Sequence, residues 1–133
     1  MKKLLALLIL LSLPTFAAAD WTMIQTNEDG NMYIDLDSIQ KSGDLVTVST
    51  LNDYYGLQNH QELSSQSKEM HDCKNKKFKA LSIRYFSDNM GNGKAIEAFD
   101  FNESETTWSD VVPYSIGELK VNIICSRWCF NRP

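Results

Sequence analysis

Three cysteines do more than any other feature to limit what this chain can become. Cys73 stands alone near the middle, and Cys125 and Cys129 lie close to the end. What they do depends on the compartment, and the N-terminus speaks to that. Lys2 and Lys3 precede an apolar run from Leu4 to Leu13, Pro14 ends the run, and Ala17-Ala18-Ala19 supplies the small residues a signal peptidase accepts. The run is too short to span a bilayer comfortably. Residues 1–19 therefore read as a signal peptide for the Sec route, with cleavage between Ala19 and Asp20. An exported chain meets an oxidising environment, where one disulfide forms and one thiol is left over. Cys125 and Cys129 are four residues apart, on one face if the segment is helical, so a bond between them would constrain little. A Cys73–Cys125 bond would close a long loop and stabilise the fold by roughly 4 kcal/mol. Cys73–Cys129 is the alternative.

A lipoprotein would carry a cysteine at the new N-terminus. Asp20 stands there instead, so the expectation is a periplasmic or extracellular protein that is not a lipoprotein. No later stretch is long and apolar enough for a transmembrane helix. Residues 20–133 suffice for one domain with a real core. Without Lys2 and Lys3 they hold 11 basic and 17 acidic residues. That balance argues against a nucleic-acid binder, which normally shows a basic excess.

Along the chain, short runs of β-branched and aromatic residues alternate with turn signals. Trp21–Thr26 and Asn31–Leu36 flank Asn27-Glu28-Asp29-Gly30, a hairpin turn ending in Asp-Gly. Asp35 or Asp37 can cap one short helical turn through Ile39. Leu45–Tyr55 is the clearest strand, with Val46, Val48, Thr50 and Tyr54 on one face and Leu45, Thr47, Ser49 and Leu51 on the other. Leu63–Cys73 is a polar strand with one wet face. Lys74-Asn75-Lys76 turns the chain into Phe78–Phe86, where alternation fails around Ala80–Ser82 and signals either double-sided burial or a bulge. Asn89–Lys94 reads as a hairpin turn built on Asn92-Gly93, and Ala95–Phe101 as the last strand. After Pro113, Ser115-Ile116-Gly117-Glu118 has the spacing of a capping box, and the apolar positions that follow predict a helix over 116–128. The fold class is α+β: a six-stranded, meander-like antiparallel sheet with the C-terminal helix packed on one face.

Convergent chemistry is sparse. His71, Asp72 and Cys73 can be drawn as a nucleophile site, but a disulfide-bonded Cys73 is not a nucleophile, and adjacent strand residues face opposite ways. Asp100, Asn102, Glu103 and Glu105 fail the EF-hand pattern, because Glu105 stands where the loop needs glycine and Val111 where it needs glutamate. Zinc fares no better, since His71 would have to share Cys73 with the disulfide. The expectation is no catalytic residue, no metal and no cofactor. The basic group Lys74, Lys76, Lys77 and Lys79 (with Arg84 beyond) suits an anionic partner, or serves as charge that guards a hydrophobic strand. Trp128 and Phe130, near the end, are aromatic candidates for an interface.

The ordered set Tyr33-Ile34-Asp35 with Ser38-Ile39, Asp53-Tyr54, Ser64-Ser65, Asp72-Cys73, Leu81-Ser82 with Tyr85, Gly91-Asn92-Gly93, Trp108, Pro113, Ser115-Ile116-Gly117 and Cys125 resembles the surface-adhesin protein E family of exported Gram-negative proteins. The resemblance covers nearly all of residues 20–133. It implies a six-stranded antiparallel sheet and a helix tethered by a Cys73–Cys125 disulfide. It also implies a non-enzymatic binding role. The family's namesake is a dimer at the bacterial surface that binds host matrix and serum proteins such as vitronectin and laminin. Three features depart from the family pattern: the missing lipid-anchor cysteine, Tyr114 where glycine is usual, and the extra Cys129. The functional expectation is an exported binding protein with a protein or glycan partner and no nucleic acid. The alternative is a periplasmic structural or accessory factor of the envelope. A homodimer joined through Cys129 is a further expectation.

Overall fold

The computed structural model describes residues 19–102 and 104–130, with the side chains of 127–130 excepted. The expected signal peptide, save Ala19, lies outside the described residues, as do the side chains of Trp128, Cys129 and Phe130. Among the described residues the strands are β1 (Trp21–Thr26), β2 (Gly30–Ser42), β3 (Leu45–Tyr54), β4 (Ser64–Asp72), β5 (Lys77–Phe86), β6 (Ala95–Asp100) and the two-residue β7 (Ser109–Asp110), and one α-helix, α1, spans Ile116–Phe130. The first six strands pair in sequence order, each antiparallel to the next. β7 pairs with the first residues of β5, Lys77 and Phe78, beyond the stretch that β6 covers. The meander and the C-terminal helix match the sequence expectation.

The alternation expected in Leu45–Tyr55 holds along β3 and sets the two sides of the sheet. On one side, Ile34, Val46 and Val48 form a buried cluster with Ile124 of the helix, and Ile24, Leu36, Ile39, Cys73 and Ile123 pack against it. Burying each such aliphatic side chain contributes about 1.5–3 kcal/mol. Cys73, just past β4, bonds Cys125 with their Cα atoms 5.7 Å apart. The helix is therefore held to the sheet covalently where its apolar face lands.

Two local expectations are corrected. The helical turn proposed at Asp35–Ile39 does not form, and β2 runs through it to Ser42. The register slips between Asp35 and Gln40, and there Ser38 Oγ accepts the Ser49 N–H at 2.8 Å while donating to the Asp35 carbonyl at 2.6 Å. A side chain thus replaces ladder bonds that the slip removes. The Asn92-Gly93 hairpin turn is instead a longer loop, with a 3-10 turn at Asn89–Gly91 and Asn92 in extended conformation. The polar strand β4 has the one wetter face expected: Gln66, Lys68, Met70 and Asp72 are half-buried or exposed, Ser65, Glu69 and His71 on the other face are buried, and Ser64 at the strand's start is covered. The irregularity around Ala80–Ser82 is a bulge: Lys68 faces Ser82, Glu69 faces Ala80, and Leu81 is the extra residue.

Helix α1 begins as the capping-box spacing requires. Ser115 Oγ accepts the Glu118 N–H at 3.2 Å, while Glu118 Oε2 reaches back to the N–H of Tyr114 at 2.7 Å. The return bond lands one residue earlier than in the usual box.

Candidate binding surface

On the helix side the sheet carries a buried polar network. Lys120 Nζ donates to Glu69 Oε1 and Oε2 at 2.7 and 2.9 Å, His71 Nε2 lies 2.9 Å from Oε2, and Thr50 donates to Oε1 at 3.3 Å. A carboxylate only accepts, so the His71 proton sits on Nε2. Burial alone would raise the Glu69 pKa. The hydrogen bond from His71 and the Lys120 ammonium outweigh it and hold the carboxyl at about 2, against an ordinary 4.5. This network fastens α1 to β4. His71 is fully enclosed and Cys73 is disulfide-bonded, so the two cannot form the nucleophile pair drawn from their sequence proximity.

The opposite side is partly closed by the β5–β6 loop. Asp53 Oδ1 accepts from Asn89 Nδ2 at 3.0 Å and from the Met90 N–H at 2.6 Å. Ser64 Oγ donates to the Asp88 carbonyl at 2.6 Å and accepts the Gly91 N–H at 2.8 Å. Gly91 has φ +72° and lies against Gln66 and Leu51, so a side chain there would collide with Gln66. The clasp explains why Leu51, on the side away from the helix, is fully buried.

The basic group is divided by its surroundings. Lys79 is 7 % exposed and its ammonium lies 4.8 Å from the Trp108 ring centroid. Lys77 pairs with Asp110 at 3.3 Å, and Arg84 with Asp100 at 3.1 Å. Lys74 and Lys76 are exposed on the β4–β5 turn. Asp72 shapes that turn by accepting from the Asn75 side chain and from the N–H groups of Asn75 and Lys74. These bonds, the Asn75 amide foremost, pull its pKa below the ordinary value. The turn is thus a built feature that presents two lysines.

A group the sequence reading passed over lies on the helix side of β5 and β6, beyond the helix. His60 stacks on Tyr85 with ring centroids 4.4 Å apart, Tyr85 meets Phe99 edge-on at 6.3 Å, and Phe99 stacks with Phe101 at 6.4 Å. His60 Nδ1 lies 2.7 Å from Glu97. Burial, then Glu62, Tyr54 and Glu97, push the Tyr85 pKa up. The signal was available, since Glu97, Phe99 and Phe101 share one parity along β6. Shallow hollows border the sheet, one of about 230 Å³ between Asn27, Asn31, Tyr54 and Ile116 and one of about 180 Å³ between Ser49, Lys68, Ser82 and Arg84. A more open hollow of about 350 Å³ lies between Phe78, Lys79, Phe101 and Thr107. The first two fall below the size usual for small-molecule sites, and the third is at its lower end. Among the described residues, no His, Cys, Asp and Glu side chains group as a metal site. What the molecule presents is a set of sheet edges, turns and an aromatic flank: surfaces suited to a macromolecule.

Residues 21–126 match the family model for surface-adhesin protein E, and the chain belongs to that family. Among solved structures it is similar to Haemophilus influenzae protein E. Crystal form II of that protein aligns with a TM-score of 0.62 at 15% identity, covering 87% of this chain and 94% of the other. Protein E from non-typeable Haemophilus influenzae aligns with a TM-score of 0.58 at 16% identity, covering 89% and 83%. No curated protein sequence matches significantly. No helix among the described residues is long and apolar enough to cross a membrane.

Proposed function

We propose that this chain is an exported, non-enzymatic binding protein of the adhesin type, whose partner is a host matrix or serum protein or a component of the cell envelope. The observation that carries this reading is the family match across residues 21–126. The structure adds support, because the clustered polar groups have structural tasks: Glu69, Lys120 and His71 fasten the helix, and Asp53 and Ser64 fasten the β5–β6 loop. Lys74 and Lys76, with Trp128 and Phe130, are candidate contacts. Residues 1–19 act as the export signal in this reading, and mass spectrometry of the exported protein tests for an N-terminus at Asp20. With Cys73 and Cys125 paired, Cys129 is the cysteine left for a covalent dimer, which non-reducing electrophoresis would reveal.

The test of function is saturable binding of the purified protein to immobilised vitronectin, laminin, glycans and envelope extracts. Binding to none of them overturns the proposal. Protease treatment of intact cells decides the setting: cleavage supports surface display, whereas protection until the outer membrane is opened would replace it with an envelope accessory factor.

A further inference from the structure

The two outer edges of the sheet differ. In β1 the register slips between Met23 and Gln25, breaking the strand into two short runs. Such an edge is poorly shaped to accept another strand. The slip in the β5–β6 pairing lies at the start of β6, and Glu97, Ala98, Phe99 and Asp100 follow in unbroken register with Tyr85, Arg84, Ile83 and Ser82. Phe101 gives its N–H to the Leu81 carbonyl at 2.9 Å, toward β5. By strand alternation, Phe99 and Glu97 also turn their amide groups toward β5, and Ala98 and Asp100 turn theirs outward. Among the described residues no other strand pairs with this outer side.

The surroundings select a partner. From Ala95 to Asp110 the sequence holds Glu97, Asp100, Glu103, Glu105 and Asp110 and no lysine or arginine. The Glu97 and Asp100 side chains, on opposite faces of β6, lie against His60 and Arg84 yet stay 45 and 72 % exposed, and Asp110 lies against Lys77. Phe99 between them is 42 % exposed, an aromatic face open to a cationic or apolar side chain. We propose that the outer edge of β6 takes up an extended, basic peptide segment as an additional strand. Backbone bonds to the outward groups of Ala98 and Asp100 supply the pairing, and the carboxylates and Phe99 select lysine or arginine side chains. This inference rests on the binding-protein reading and adds the site and the chemistry of the partner.

The experiment titrates the purified protein with a synthetic peptide alternating lysine and valine, with a glutamate–valine peptide and a heparin oligosaccharide in parallel, followed by amide NMR. The expected result is shifts and exchange protection centred on Ala98 and Asp100 with the basic peptide only, weakening as salt rises. Ala98→Pro removes an outward N–H without touching a bond to β5 and abolishes the effect. Glu97→Lys, which leaves the backbone intact should the proline variant not fold, weakens binding about tenfold. Unchanged binding by a folded Ala98→Pro variant overturns the inference. So do shifts centred on Lys74 and Lys76 with heparin alone, or protection of β6 by self-association without peptide. If the wild type binds a matrix protein and folded Ala98→Pro binds it equally, the edge is wrong and the adhesin reading stands. If the wild type binds no macromolecule, the adhesin reading itself fails.

Discussion

Lys120 on the helix and Glu69 on the fourth strand meet across the helix–sheet boundary, with both Glu69 oxygens within 2.9 Å of the ammonium and each side chain only 10% exposed. A charge pair this enclosed is costly to halve, because the survivor stays buried without its partner. Lys120→Met keeps the apolar stem and is expected to destabilise the fold by about 3 kcal/mol at neutral pH, measured by urea unfolding.

The same pair fixes a pH response. Glu69 has its folded pKa depressed to about 2 from 4.5, so its contribution is complete above pH 4.5 and is lost as pH falls toward 2. The contribution is on the order of 3 kcal/mol. Wild type is expected to lose stability across that window, and Lys120→Met, in which only His71 still favours the ionised acid, is expected to lose less. Parallel acid titrations of the two would show curves that converge; curves that stay parallel would remove Glu69 as the cause.

The Cys73–Cys125 bond closes a loop spanning 52 residues of sequence. Cys73→Ser is expected to lower stability by about 4 kcal/mol in the chain-entropy picture. Unfolding with and without reductant checks this, and wild type under reductant should resemble the variant.

Asp53 anchors the β5–β6 loop through two bonds to one oxygen. Asp53→Ala is expected to cost about 2 kcal/mol, since the lost bonds involve a charged acceptor. Amide exchange should rise at Met90 and Gly91 before it rises in the strands. Uniform exchange throughout the sheet would place the role of Asp53 elsewhere.

Tyr114 has a φ of +60° with the side chain wholly exposed. A left-handed residue other than glycine costs about 1–2 kcal/mol, partly offset by the greater freedom glycine loses on folding. Tyr114→Gly is expected to raise stability by up to about 1 kcal/mol. A loss of stability in thermal unfolding would show that the ring contributes.

Much of the fold was legible because its signals are local. The Ser115–Glu118 spacing marked the helix start, alternation in Leu45–Tyr55 marked the two faces, and the broken alternation around Ala80–Ser82 left double-sided burial or a bulge open, of which the bulge forms. The Asp35–Ile39 segment misled because its capping residues speak only for the local chain. The strand continues because Ser38 bonds to Ser49, a residue eleven positions away. Lys120 was legible in principle, one turn after Ile116 and one before Ile124 on the buried face, yet its partner Glu69 lies 51 residues distant. The motif pieces Asp53-Tyr54, Ser64-Ser65 and Gly91-Asn92-Gly93 proved to be one object, the loop clasp. Residues that carry the family resemblance therefore build the scaffold, which is why they fixed the fold and left the contact surface open.

The most direct test of the account is saturable binding of the purified protein to immobilised vitronectin and laminin, with Ala98→Pro measured beside it after its fold is verified by thermal unfolding. Saturable binding by wild type and its loss in the proline variant are the expected result. A folded wild-type protein that binds neither these nor any other matrix, serum or envelope component contradicts it.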